Sequence, residues 1–364
     1  LAPARSQDLF RLPVDRVFTM RGHGTVVTGT LIAGSVSIGE TVQLYPKSLT
    51  SKVRGLQSHG SAVDKAPAGR RTAVNLPDLS VEQIDKGDVL SHPDTLFPSR
   101  TWAMEITCLE SSPRPLRHRA EIHFHHGSKE MQARLYFADR DKLQPGDTCL
   151  CEVRFQEPEA AVFGDRAVIR SFSPLRTVAG AVVLNPIGVD MRRRSKGFSE
   201  RCAMLASLAA GPSVPDEERV LLQLRSTLGA SQGVSFNRLR VLANLDSRAL
   251  EKALAALSNQ KKVVCFDKDQ RLYLAESFLR EPEERCLAAV ADFHGRFSEK
   301  QGIKRSELAS SWGKDQPPKL SHLIIERLLK EGRLASEGEF LRLPAHTAAF
   351  SAKQAPLSDA LLQA

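Results

Sequence analysis

The sequence predicts a multidomain chain of β plus α/β class, with two consecutive antiparallel β-barrels followed by tandem winged-helix domains. Three observations point there. From residue 8 to residue 186, short β-branched runs alternate with Gly, Pro and Asp breaks and show no helical period. After Pro186 the apolar residues change to three- and four-residue spacing. The tail then repeats one helix–helix–helix–hairpin pattern at a period of roughly 70–75 residues. At 364 residues the chain is also too long for one ordinary domain.

The first predicted domain covers 8–97. Its opening string, FRLPVDRVFTMRGHGTVVTGTL (10–31), reads as two strands joined by a glycine-flanked turn at Gly22-His23-Gly24, with a second break at Gly29. Asp15-Arg16 stands out, because it sits between apolar Val14 and Val17. Charges inside an apolar strand are costly unless they are paired or meet a ligand. SIGETVQLYP, SKVRGLQSHG, GRRTAVNL and KGDVLSHP supply the further strands, and VDKAPAG reads as a loop. The second predicted domain, 98–186, holds AMEITCLE, RAEIHFHHGS, EMQARLYF, TCLCEVRFQEP, DRAVIRSF and VAGAVVLNP, with turns at Gly127, Pro145-Gly146 and Gly164-Asp165.

A basic joint, DMRRRSKG, opens the segment 187–275, in which three short helices lead to a hairpin, KVVCFDKDQRLYLAES. The pattern returns over 276–345. The last stretch, 346–364, reads as a tail or the start of a third copy.

Composition narrows the function classes. The formal charge is +9 and the pI about 9.4, which favours a polyanionic partner. The six cysteines form no CxxC pair and no zinc-type cluster. Cys149 and Cys151 alternate on one strand and read as small buried hydrophobes. There is no 18-residue apolar run and no signal peptide, so a cytoplasmic protein without membrane contact is expected. No GxxxxGK[ST] phosphate loop, NKxD, GxGxxG, GxSxG or HExxH occurs. The chain itself is therefore expected to be no enzyme, with no cofactor and no metal of its own. His123, His125 and His126 form the His cluster, with no carboxylate or cysteine at ligand spacing.

The string Leu12-Pro13-Val14-Asp15-Arg16-Val17-Phe18, followed by GHGTVVTG, resembles the second domain of the EF-Tu-type translation factors. Where EF-Tu has LPxEDVF and AGEN, this chain has Asp15-Arg16 and Ala68-Gly69-Arg70-Arg71. Both departures bring in arginine, and both are similar to selenocysteine-specific elongation factors (SelB). HGS at 126–128, the closing GDRAVIRSFSPLRTVAGAVVLNP (164–186) and the winged-helix tail agree with that resemblance.

The resemblance implies a part of a translation factor that delivers selenocysteinyl-tRNA to the ribosome for UGA recoding. It implies a C-terminal fragment lacking the GTPase domain, where GTP and Mg would bind, and lacking the last winged helices that meet the mRNA hairpin. The first barrel would form one wall of the aminoacyl pocket through Asp15, Arg16 and Arg71. A selenol is a stronger acid than a thiol, so selenocysteine is anionic at neutral pH. A guanidinium stays charged and is weakly hydrated, which suits a partly dried anion site. Asp15 would hold the α-amino group or orient Arg16; a plain surface salt bridge to Arg16 or Arg71 is the alternative. His23 would sit near the site, against the alternative of a solvent-exposed turn residue.

The second barrel would meet the tRNA stem through Arg117, Arg119, His126 and Lys129, against the alternative of a solvated basic face. The winged helices would act as an arm, with Lys261, Lys262 and Lys330 as exposed basics, and the protein is expected to be a monomer. Two other classes stay open. One is a generic EF-Tu or initiation-factor-like aminoacyl-tRNA carrier. The other is a winged-helix transcription regulator with a β-rich sensor, for which SRALEKALAALSNQ (247–260) is weakly basic.

Overall fold

The computed structural model describes residues 9–20 and 24–347. The predicted Gly22-His23 turn and the candidate third copy from Ser351 lie outside these residues. By internal packing the chain divides into two units. One comprises the residues up to Ala230 together with Ser235–Leu257; the other comprises Ser231–Val234 and the residues from Ser258 onward.

The first unit opens with β1 (Leu12–Met20), β2 (Gly24–Thr30), β3 (Ser35–Ser37), β4 (Thr41–Tyr45) and β5 (Leu49–Lys52). It continues with β6 (Gly55–Ser58), β7 (Ser61–Ala62), β8 (Lys65–Pro67), β9 (Arg71–Asn75) and β10 (Val89–Ser91). Eight of these form one sheet in the order β5-β4-β10-β1-β2-β9-β6-β7, wrapped around a core that includes Leu12, Val27, Leu44, Val74 and Leu90. The expected loop VDKAPAG is a strand in part: β8 pairs with β3 through Val36↔Ala66.

Gly29 is not the expected break. β2 runs through it, opposite Val14, where β1 slips register between Val14 and Arg16. Asp15 is thus the extra residue of a β-bulge. A Cβ on Gly29 would lie 2.1 Å from the Pro13 carbonyl oxygen and 2.7 Å from Leu12 Cδ2. The glycine is needed for that close approach, not for a turn. Gly29→Ala is expected to destabilise the first β-domain by about 2 kcal/mol or more, because backbone must move. An unchanged urea midpoint would refute this.

The second β-domain contains β11 (Ser99–Cys108), β12 (Leu116–Arg117), β13 (Glu121–His126), β14 (Lys129–Phe137), β15 (Lys142–Leu143), β16 (Thr148–Glu159), β17 (Arg166–Arg170) and β18 (Thr177–Asn185). Six of them close a barrel in the order β11-β16-β14-β13-β17-β18, and β12 and β15 pair as a small flap. Trp102, fully buried, packs edge-on against Phe124 and Phe155. Cys149 and Cys151 point into this core as free thiols. Burial pushes the Cys149 thiol up to about 12, so it acts as a hydrophobe at neutral pH.

Helices α1 (Phe198–Leu208), α2 (Asp216–Ser226), α3 (Phe236–Ala243) and α4 (Ser247–Asn259) follow, with a two-residue strand β19 (Val234–Ser235) before α3. The basic joint straps onto the second β-domain. Arg193 donates to the carbonyls of Ala138, Phe137 and Arg140 on the barrel, and Arg192 pairs with Asp190. Beneath it, fully buried Asn185 donates to Gln223 Oε1 (2.9 Å) and Thr227 Oγ1 (2.8 Å), pinning α2 to the end of β18. At α3, the carbonyl of Val241 accepts the Phe163 N–H, and Asn244 donates to the Phe163 carbonyl.

The second unit holds β20 (Val263–Asp267), β21 (Leu272–Ala275), α5 (Arg280–Arg296), β22 (Ile303–Lys304), α6 (Arg305–Ser311), α7 (Pro318–Lys330), β23 (Ala335–Glu337) and β24 (Phe340–Arg342). Phe266 and Leu274 of the β20–β21 hairpin enter the core made by Val290 of α5 and Leu320, Ile324 and Leu328 of α7. Lys319 on α7 clamps the hairpin, 2.7 Å from Asp267 and 2.6 Å from Asp269. The predicted 187–275 module is therefore divided: its helices belong to the first unit and its hairpin to the second. The rings of His294 and His346 stack at 3.6 Å, and His294 Nε2 accepts the Leu343 N–H. No helix among the described residues is long and apolar enough to cross a membrane.

Candidate nucleic-acid interface

Strand register assembles the first part of the site. Arg16 lies opposite Thr28, Thr28 opposite Ala73, and Thr30 opposite Arg71. With a side-chain period of two, Arg16, Thr28, Ala73 and Arg71 share the outer face of β1-β2-β9, while Val17, Val27 and Val74 turn to the core. The bulge brings Asp15 to the same place. Its Oδ2 accepts Arg71 Nη1 at 2.5 Å, and its Oδ1 accepts Arg71 Nη2 at 2.9 Å and Thr28 Oγ1 at 2.8 Å.

Asp15 therefore does not orient Arg16; of the expected alternatives, the structure shows the salt bridge to Arg71. That fork-to-carboxylate contact fixes the guanidinium plane. Arg71 remains 53% exposed, so the pair contributes under about 1 kcal/mol of stability. Arg16 is exposed and has no ion pair among the described residues. Beyond it on the same face stand Phe18 and Met20, exposed large apolar side chains. Among the described residues the face therefore offers an exposed cation, a fixed cation and an apolar ledge. His23 lies outside the described residues.

The second part sits on the second β-domain. Arg117 and Arg119 are exposed, and Arg119 holds a left-handed backbone at φ 64°. His126 and Lys129 are placed differently, in the seam between the two β-domains. His126 Nε2 lies 3.3 Å from Asp165 Oδ2, with its ring edge-on to Trp102. Lys129 Nζ lies 2.6 Å from Glu159 Oε1, and its stem packs on Gly87, where a Cβ would come within 2.5 Å.

The His cluster has a carboxylate after all. Glu130 reaches across from β14, 3.0 Å from His123 Nδ1 and 4.0 Å from His125 Nε2. Sequence spacing could not show it, because cross-strand pairing supplies it. Among the described residues no group of three His, Cys, Asp or Glu is arranged to hold a metal. Lys261, Lys262 and Lys330 are exposed.

Sequence reading missed Arg11, Asp165, Lys142 and Phe172. Asp165 registered only as a turn residue after Gly164. Its carboxylate in fact receives Arg11 at 2.6 Å and the Val162 N–H at 3.0 Å.

Residues 103–188 match the family model "Selenocysteine-specific elongation factor, beta-barrel domain", and residues 287–343 match "Elongation factor SelB, winged helix". The chain is 47% identical over 356 residues to a selenocysteine-specific elongation factor of Desulfomicrobium baculatum, covering 98% of this chain and 55% of that protein. It is 29% identical to the protein of that name from Escherichia coli strain K12, covering 96% of this chain and 52% of the other. The chain spans about half the length of the curated relatives it matches. A crystal structure of bacterial selenocysteine-specific elongation factor EF-Sec superposes with a TM-score of 0.68 at 18% identity, over 100% of this chain and 55% of that one. That likeness establishes the fold.

Proposed function

The chain belongs to the selenocysteine-specific elongation factor family, and from that premise we propose that it forms the tRNA-holding and arm portion of a factor delivering selenocysteinyl-tRNA to the ribosome at a recoded UGA. The observation that carries this reading is the pair of arginines on one outer sheet face. Arg71 is locked in plane by Asp15, and Arg16 has no counter-ion among the described residues. A neutral serine hydroxyl gains little from such a face, whereas a selenolate gains charge-assisted hydrogen bonds. Arg16 is the primary contact to the selenolate. Arg71, held by Asp15, supplies a fixed second positive centre. Asp15 is the carboxylate that would meet the α-ammonium group.

Arg117 and Arg119 on the second β-domain lie along the RNA backbone. His126 and Lys129, anchored in the seam, hold the two β-domains in register, so that aminoacyl end and stem are met together. The winged helices form the arm toward an mRNA hairpin. GTP and Mg would be held by a GTPase domain, since the motifs for them do not occur in this sequence.

The test joins this chain to a GTPase domain of the family and measures affinity for selenocysteinyl-tRNA and seryl-tRNA on the same tRNA body. Tighter binding of the selenocysteinyl form is expected, with the preference collapsing at pH low enough to protonate the selenol. Equal affinities at neutral pH would sink the pocket.

A further inference from the structure

A groove of about 660 Å³ opens on the second β-domain between the β12–β15 flap and the turn after β17. Its walls include Arg114, Arg117, Lys142, Leu116, Ile122 and Phe172. Two features of it are physically costly for the isolated protein. Arg117 and Lys142 stand directly opposite each other in the two-stranded flap. Like charges at a cross-strand pair repel and destabilise the pairing. Arg114, Arg117 and Lys142 are all exposed, and none has an ion pair among the described residues. Phe172 is 42% exposed on the opposite wall. Its ring is backed by His123 at 4.2 Å, which Glu130 holds from behind.

A bound anion removes the first cost, and a bound planar ring removes the second. We propose that this groove takes one unpaired nucleotide of an RNA, its phosphate between Arg117 and Lys142 and its base stacked on Phe172. A paired stem buries its ring faces in its own stack, so it could use the cations but not the phenyl face. Apolar Leu116 and Ile122 in the floor favour a ring over a second phosphate. This rests on the reading of the second β-domain as RNA-facing and adds a specific subsite to it.

The probe is a short RNA hairpin carrying 2-aminopurine at one unpaired loop position, titrated with the full chain, alongside a duplex of the same length with no unpaired base. The hairpin carries no aminoacyl group, so the outcome is independent of the Arg16–Arg71 pocket. Stacking on Phe172 should change the probe's fluorescence on binding, and Phe172→Ala should abolish that change and weaken hairpin binding about tenfold. Duplex binding should be unaffected by Phe172→Ala. Arg117→Gln with Lys142→Gln should make the salt dependence of hairpin binding shallower, by about 0.7 per lost phosphate contact in log–log slope.

Both variants alter exposed side chains, and their far-ultraviolet circular dichroism should match the parent. The groove assignment is overturned by a fluorescence change that survives Phe172→Ala, by a salt slope unchanged in the double variant, or by failure of the parent chain to bind the hairpin. Equal weakening of hairpin and duplex by Phe172→Ala also overturns it, since that points to a general surface.

Discussion

Arg16→Ala, in a protein joining this chain to a GTPase domain of the family, is expected to lose about tenfold or more of its preference for selenocysteinyl-tRNA over seryl-tRNA. A hydrogen bond to a charged group contributes about 1.5–3 kcal/mol when shielded from water, and each 1.4 kcal/mol is about tenfold in affinity. Arg16 is open to solvent in this chain, so the full effect requires the pocket to be closed by the second wall. Affinity for seryl-tRNA should barely move, because a neutral hydroxyl draws little from the guanidinium. Arg71→Ala should act in the same direction, with a second consequence. It frees Asp15, whose carboxylate then faces the same outer surface without its 2.5 Å and 2.9 Å contacts. An unneutralised carboxylate beside a selenolate repels it. Arg71→Ala is therefore expected to damage discrimination beyond simple loss of a contact, and adding Asp15→Asn should restore part of it. Unchanged discrimination in both arginine variants would remove the pocket.

Much of this face was legible from residues alone. The β-branched runs of β1 and β2 read as paired strands, and the arginine substitutions stood out against the family pattern. The bulge at Asp15 was not legible, because nothing in VDRV says which residue loses its partner. It was that bulge which sent the carboxylate to Arg71, 56 residues away, instead of to its neighbour Arg16. Gly29 failed for a related reason: a glycine in a strand signals either a break or a close approach, and only the position of Pro13 decides. Five of the six closing strands of the second barrel were located to within about two residues at each end. By contrast, β11 begins four residues earlier than expected, and the two-residue flap strands β12 and β15, too short to show a period, were not read. The division inside 187–275 was invisible, because Gln223 and Phe266 look like ordinary helix and strand residues. Their burial against Asn185 and against the α5–α7 core depends on contacts far along the chain.

The seam between the two β-domains carries the other large expected effect. Arg11, ahead of β1, reaches Asp165 in the turn before β17, 154 residues away, with side chains 11% and 13% exposed. Ser128 donates across the same seam to the Val14 carbonyl at 2.8 Å, one residue before the Asp15 bulge. Burial on its own would raise the Asp165 pKa. The Arg11 charge and then His126 outweigh burial and hold the carboxyl well below the usual carboxylate range. A carboxylate with a depressed pKa stabilises the fold at pH above its ordinary value near 3.8, and that contribution is lost as pH falls below it. Acid should therefore loosen the seam below about pH 4.

Asp165→Ala leaves Arg11 buried without its counter-charge, which costs about 3–5 kcal/mol at neutral pH and should lower the urea midpoint accordingly. Arg11→Met together with Asp165→Leu removes both charges and should recover most of that loss. The cycle separates an ion pair from mere packing: equal midpoints for Asp165→Ala and the double variant would show that the charges do not matter. Because the seam sets where the Arg16–Arg71 face stands relative to Arg117, Asp165→Ala should also weaken tRNA binding without touching the pocket. Selenocysteine-over-serine preference should survive in that variant, since both substrates lose the same alignment between aminoacyl end and stem.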